Sequence, residues 1–266
     1  MVYDIQKASL TKRLSAFLFD FVIMTILVSA FMLTLSAVLG YDGYSERFQN
    51  RINSIHEKYD IKGIEEEYKV SFSDYQYMTP EDKKVLPEEV VAIFDACTEE
   101  IDNDVESIKL YSTISNLSLI ILSFSILLAY LVLEFAVPLF LQNGQTFGKK
   151  IFGIAIMRSD CIKISPMVLF IRTILGKYTI STMVPAFMLL SLLFGAFPLI
   201  SITIILLILI LQVVFLITTK TNSLIHDSLA STVVVDFQSQ MIFDSPEALN
   251  EYKLRLHREE AEKIEH

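Results

Sequence analysis

Three polar side chains interrupt long apolar runs of the chain: Asp20, Glu134 and Gln212. A charge at the centre of a bilayer costs about 2.5–3.5 kcal/mol on translocon scales, so each such residue needs a partner, water or a function. Asp20 stands seven residues past Arg13. Seven α-helical steps return to nearly the same face, about 10 Å deeper. Glu134 lies seven residues before Leu141 at the end of its run, and Gln212 five before Ile217. The three reach one layer of the inner leaflet, bordered by Arg13, His226 and Asp227. Two chemistries fit. In one, Arg13 neutralises one or two carboxylates and the cluster pins helices together, each polar contact contributing about 0.6–2 kcal/mol. In the other, two neighbouring carboxylates cannot both ionise cheaply. Asp20 then carries a proton, Na⁺ or K⁺, Glu134 titrates second, and Arg13 with Asp227 forms an inner gate.

Other constellations lead elsewhere. Gly144-Gln145-Thr146-Phe147-Gly148-Lys149-Lys150 is one residue short of a phosphate-binding loop, and Lys150 stands where a magnesium-binding hydroxyl belongs. The glycines suit a sharp turn, and Lys149 and Lys150 suit anionic headgroups. The four histidines are scattered, without HExxH spacing or cysteine partners, so no metal is expected. His226 beside Asp227 reads as a hydrogen-bonded cap. No GxSxG elbow or nucleophile with a base is present, so neither an enzyme nor a cofactor is expected.

The elements that must position these residues are membrane helices. A span needs roughly 20 apolar residues. Runs 14–38 and 114–141 meet this with one charge each, and 179–217 has none. The last run is long enough for two spans, and Gly195-Ala196-Phe197-Pro198 at its middle marks a tight turn. Four spans follow, at about 14–38, 114–141, 179–196 and 199–217. The first run is too long for a signal-peptide core and contains Asp20, so it reads as uncleaved.

Lys and Arg concentrate on the cytoplasmic side of membrane proteins. Lys7, Lys12 and Arg13 precede the first span, and residues 142–178 hold six bases against Asp160. Both segments therefore face inward, and the C-terminal tail 218–266 returns inside. Residues 40–113 hold 18 acids against 8 bases and face outward. Cys97 and Cys161 fall on opposite sides and cannot pair.

The acidic insert 40–113 carries helical stripes: Phe48, Ile52, Ile55 and Tyr59, then Val90, Val91, Phe94, Ile101, Val105 and Ile108. It reads as a solvated helical hairpin or as an acidic sensor or cation vestibule. The basic segment 142–178 reads as a β-hairpin followed by an interfacial helix that begins at Ser165-Pro166. Strands at 151–157, 161–165 and 232–237 would form a small cytoplasmic sheet. The tail 245–266 reads as a charged helix.

The 53% apolar and 20% charged residues exclude a disordered chain, and two cysteines in 266 residues exclude a disulfide scaffold. A net charge of −9 speaks against a nucleic-acid binder. The class is a membrane all-α protein of about four transmembrane helices, with a helical extracytoplasmic insert and a small cytoplasmic β-sheet. Its first partner is the lipid bilayer.

Three motifs in order resemble a known family. They are Arg13 with Asp20, Gly144-Gln145-Thr146-x-Gly148-Lys149-Lys150, and His226-Asp227-x-Leu229-Ala230-x-Thr232. Together they are similar to the RDD family of bacterial membrane proteins, named for one Arg and two Asp, here Arg13, Asp20 and Asp227. The resemblance covers about 8–40 and 114–237. The chain departs in Ser231, where glycine is common, and in its long insert. The resemblance implies a multi-pass protein of the bacterial cytoplasmic membrane. It also implies transport of an unidentified ligand, which in some members is sodium–proton exchange. A homodimer is expected if four spans are to transport. The competing reading is a non-transporting sensor or assembly partner in which the Arg/Asp cluster is structural.

Overall fold

Among the described residues, four helices are long and apolar enough to cross a membrane: Leu10–Leu39, Val105–Phe140, Pro166–Leu193 and Pro198–Thr218. They belong to a computed structural model that describes residues 5–141 and 143–264. In chain order the elements are α1 (Leu10–Leu39), α2 (Tyr41–Lys58), α3 (Ile61–Tyr68), α4 (Phe72–Tyr77), α5 (Pro80–Lys83) and α6 (Glu88–Asn103). Next come α7 (Val105–Tyr130), a π-helical turn (Leu131–Ala136), α8 (Val137–Phe140), α9 (Phe147–Ile151) and β1 (Ile154–Arg158). α10 (Pro166–Phe170), a second π-helical segment (Ile171–Met183) and α11 (Val184–Leu193) form one continuous helix. α12 (Pro198–Thr218), α13 (Ile225–Leu229), β2 (Thr232–Asp236) and α14 (Pro246–Ile264) complete the chain. Four apolar helices and a small sheet are the membrane all-α class read from the sequence.

The chain divides into two compact units, Met1–Phe31 with Ser123–His266, and Met32–Leu122. The second unit holds the insert. Its core gathers Ile55, Ile61, Phe72, Tyr75, Val90, Phe94 and Cys97 from α2, α3, α4 and α6. The helices are punctuated locally. Thr79 caps α5, accepting the Asp82 N–H at 3.2 Å. Asp104 interrupts the run between α6 and α7, accepts the Ser107 N–H at 2.8 Å, and takes two hydrogen bonds from Arg51. The stripe expected through residue 108 therefore ends early: Val90 and Phe94 are buried, whereas Val105 and Ile108 are exposed.

In the first unit β1 and β2 pair antiparallel, with Ile156 opposite Val234. The sheet differs from the expected three strands. Residues 151–153 belong to the end of α9 and its turn, and 161–165 contributes only isolated bridges, Met157 with Lys163 and Ile162 with Phe243. The outer edge of β2 is met by the N-terminal segment instead. Ala8 donates to Val234 O at 3.2 Å, and Asp236 donates to Gln6 O at 2.9 Å. Strand pairing thereby draws the start of α1 to the sheet.

The third apolar helix departs most from the sequence reading. Ser165 does cap it, accepting the Val168 N–H at 3.4 Å. The helix then continues to Leu193 rather than ending as an interfacial segment, so Arg172 and Lys177 fall inside it. Its middle is wound as a π-helix, with each hydrogen bond reaching one residue further than in an α-helix. Hydroxyls confirm the wider turn: Thr179 Oγ1 donates to Ile174 O at 2.9 Å, and Ser181 Oγ to Gly176 O at 3.0 Å, both five residues back. Each π segment ends two residues before a proline, Pro138 or Pro185. Proline lacks an N–H and its ring collides with the carbonyl four residues earlier. A widened turn relieves that collision. The last two helices, α11 and α12, pack together across a turn in which Gly195 and Phe197 take positive φ.

Candidate functional site

The polar layer is built on α9, a five-residue helix. Thr146 caps it, and its hydroxyl also donates to Asp20 Oδ2. The Gly148 N–H donates to Asp20 Oδ1 at 2.8 Å. The Asp20 carboxyl group thus accepts one main-chain N–H and one hydroxyl at a helix start, where free N–H donors are available. Glycine is required at 148: a Cβ there would collide with the Ala16 carbonyl oxygen and lie 2.9 Å from the Asp20 carboxylate. The stretch 144–150 is a clasp for α1. Gly144 takes positive φ against Ile156, and Gln145 Nε2 donates to Ile154 O at 2.9 Å.

The clasp also supplies a cation. Lys149 Nζ lies 3.3 Å from Glu134 Oε2 and 3.3 Å from Thr146 Oγ1. Lys149 is therefore buried on a carboxylate instead of meeting headgroups, whereas Lys150 is exposed. The other Glu134 oxygen, Oε1, is held by Lys177 Nζ. Thr173 Oγ1 donates to the Glu134 main-chain oxygen at 3.0 Å. One carboxylate thus holds two ammonium groups, delivered by separate elements.

Arg172 pairs with Asp227. Its Nε and Nη2 donate to Asp227 Oδ1 at 2.9 and 2.6 Å, and both side chains are buried. Burial alone would raise the Asp227 carboxyl, but the Arg172 guanidinium overrides it and holds the group below the usual carboxylate range. The second oxygen accepts the Leu224 N–H at 3.4 Å. In an α-helix Arg172 and Lys177 would point about 140° apart. The π winding brings residues five apart toward one face, so both reach the layer.

The remaining candidates fall outside the carboxylate pairs. Arg13 neutralises neither carboxylate: it donates to the main-chain oxygens of Asn222 at 2.7 Å, Thr221 at 3.2 Å and Val234 at 2.8 Å. It ties α1 to the end of α12 and to β2. Gln212 does not join the layer either. Its Nε2 donates to Ser181 Oγ at 3.2 Å, and its Oε1 accepts the Ile225 N–H at 3.4 Å. His226 is buried, and its Cβ packs where a Cβ on Gly176 would lie 2.5 Å away. Burial pushes its imidazole down to about 3, so it is neutral across the physiological range. Its Nε2 is 3.7 Å from Asp227 Oδ2, too far for a hydrogen bond.

The layer therefore joins Asp20, Thr146, Lys149, Glu134 and Lys177 in one network, with Arg172–Asp227 set on the same helix as Lys177. Two carboxylates, Glu134 and Asp227, hold three cations: Lys149 and Arg172, both buried, and Lys177, partly buried. Arg172 and Lys177 escaped the sequence reading because both precede the charge-free run at 179. The two prolines and the need of Glu134 for a counter-charge were the available signals.

The family model described as RDD family matches residues 7–231. The chain belongs to the RDD family. No curated protein and no solved structure matches it. Within this RDD chain Arg13, Asp20 and Asp227 are not one ion-paired triad. Arg13 binds main-chain oxygens, Asp20 anchors on α9, and Asp227 binds Arg172.

Proposed function

We propose that this RDD protein exchanges an alkali cation for protons, with Glu134 as the exchanging carboxylate. The observation that carries the reading is the pair of ammonium groups on Glu134, from Lys149 and Lys177. A cation takes a carboxylate oxygen only when an ammonium leaves it. When Lys177 gives up a proton, its neutral amine no longer neutralises Oε1, and a cation such as Na⁺ replaces that charge. One cation enters as one proton leaves, and the buried charge is conserved. Lys177 is the more exposed arm, with 16% of its side chain accessible against 9% for Lys149. Asp20 is a weaker choice of carrier, since both of its oxygens are held by the clasp. The distribution of Lys and Arg supports a cytoplasmic-membrane protein with both termini inside. No catalytic reaction is assigned.

The test is ion-driven proton flux in proteoliposomes with Na⁺, K⁺ and Li⁺ across pH 6–9. Flux in the wild type that is lost in folded Glu134→Gln and kept in Asp20→Asn supports the reading. No wild-type flux, or full flux in Glu134→Gln, overturns it.

A second reading has its own support. The insert has a separate hydrophobic core and forms a compact unit of its own. A sensor or assembly partner would need such a unit, with the charge layer purely structural. Deleting residues 45–110 then abolishes function while the four helices still insert.

A further inference from the structure

A second site lies where two apolar helices end, apart from the charge layer. Pro138 and Leu139 at the end of the second candidate span, and Pro166 and Leu169 at the start of the third, wall a cleft of about 320 Å³. Ile164 and Lys163 close its base. The two spans meet here directly: Phe135 and Phe170 stack edge to face with centroids 5.7 Å apart. Both helix ends lead into residues 141–165, so the cleft opens at the end of the bundle that carries the sheet.

The lining fixes the chemistry of an occupant. The walls are apolar, and the single charged lining residue is a lysine. Its acidic neighbour is Asp244, at 3.8 Å and 90% exposed. That distance exceeds a hydrogen bond, and an ion pair so exposed is weak. The Lys163 ammonium, one third exposed, keeps its donors for another anion. Phe140 and Met167, on the same two helix ends, are 85% and 68% exposed. An occupant of this cleft carries a negative head for Lys163 and a hydrocarbon body for the exposed apolar side chains. Basic pockets between membrane helices take anionic headgroups.

We propose that this cleft is a binding site for an anionic glycerophospholipid, with the phosphate on Lys163 and an acyl chain along Leu139, Phe140 and Met167. The lipid bridges the second and third spans, the two helices that carry Glu134, Arg172 and Lys177. The site stands whether or not the protein transports ions.

The test is native mass spectrometry of the full chain titrated with phosphatidylglycerol or phosphatidylcholine. The ratio of the two affinities is read within each variant, so partial loss of folded protein cancels. The wild type is expected to hold one tightly bound phosphatidylglycerol and to prefer it over phosphatidylcholine. Lys163→Met reduces that preference about fivefold, the effect of one lysine near an anionic headgroup. Leu139→Trp, which fills the cleft, removes the tight copy. Lys220→Met, an exposed lysine elsewhere on the chain, leaves the ratio unchanged. Equal affinities for the two lipids in the wild type overturn the proposal, as does an equal loss in Lys220→Met. Displacement of the lipid by soluble glycerol phosphate, in place of retention, assigns the cleft to a free organophosphate and also overturns it.

Discussion

The Gly148 main-chain N–H donates to the Asp20 carboxylate at 2.8 Å, and only a residue without a side chain allows that approach. The contact couples α1 to the loop after the second span, across more than a hundred residues of sequence. Gly148→Ala is expected to lower stability by about 1–3 kcal/mol, the usual cost of overpacking a filled site. Thermal unfolding in detergent reads this as a lower midpoint. An unchanged midpoint would show that α1 and the clasp separate easily.

Asp20 should tolerate loss of charge better than loss of its oxygens. Asparagine keeps an acceptor for the Gly148 N–H, and the Thr146 hydroxyl can turn to accept from the amide. Alanine leaves both donors unpaired in a buried site, at about 1–3 kcal/mol each. The expected order of thermal midpoints is wild type, Asp20→Asn, then Asp20→Ala by a wide margin. Equal loss in both variants would mean that the negative charge itself is what matters.

Breaking the Arg172–Asp227 pair on one side strands a buried charge. Arg172→Ala or Asp227→Ala alone is expected to cost about 3–5 kcal/mol, and the double variant less than the sum. A double-mutant cycle on detergent-purified protein measures the coupling. Additive losses would show that the two groups do not act as a pair.

The insert should loosen in mild acid. His56 packs edge-on against Phe72, and burial lowers its pKa from the usual 6.5, with Glu65 opposing. The unfolded insert therefore takes the proton first. Its stability is full above about pH 6.5 and declines as the pH falls below that value. Glu100 is lowered by its hydrogen bonds from Lys58 and Tyr59, and Asp104 by those from Arg51 and Ser107. Their contributions are complete above about pH 4.5 and are lost only below it. Hydrogen-exchange protection of peptides from 44–103, corrected for intrinsic rate, should fall between pH 7.5 and 5.5 in the full chain. The fall should vanish in His56→Phe. If it persists there, another group is responsible.

Long apolar stretches with at most one charge made the number of apolar helices legible, because bilayer thickness constrains helix length directly, although the third starts at Pro166 rather than at 179. The turn between α11 and α12 was legible for a different reason: glycine readily takes the positive φ that Gly195 shows, and proline fixes φ and suits a helix start. The charge layer was harder to read. Spacing along one helix placed Arg13 and Asp20 on one face, yet Arg13 found main-chain oxygens, which no side-chain pattern advertises. Arg172 and Lys177 read as part of an interfacial helix, since both lie before the charge-free run, and an α-helical period would separate them widely. The π winding that reunites them leaves no signature in hydropathy. It leaves one only in the prolines at 138 and 185, each just beyond a widened turn. The third strand shrank to bridges because its main chain is shared: Ile162 O accepts the Arg158 N–H at 2.9 Å, but the Lys163 N–H turns to Phe243 O at 2.8 Å.

The pairing of Arg172 with Asp227 sets an order of events during synthesis. The third apolar helix has the lowest mean hydropathy of the four, 1.3 against 2.4, 2.4 and 3.2, and it carries the buried Arg172 and the partly buried Lys177. Glu134 is already in place for Lys177 when that helix leaves the ribosome. Asp227 is not, because it lies beyond the fourth span. The counter-charge of a buried arginine in the third helix is thus supplied only by chain that follows the fourth, so a chain ending before residue 227 lacks it.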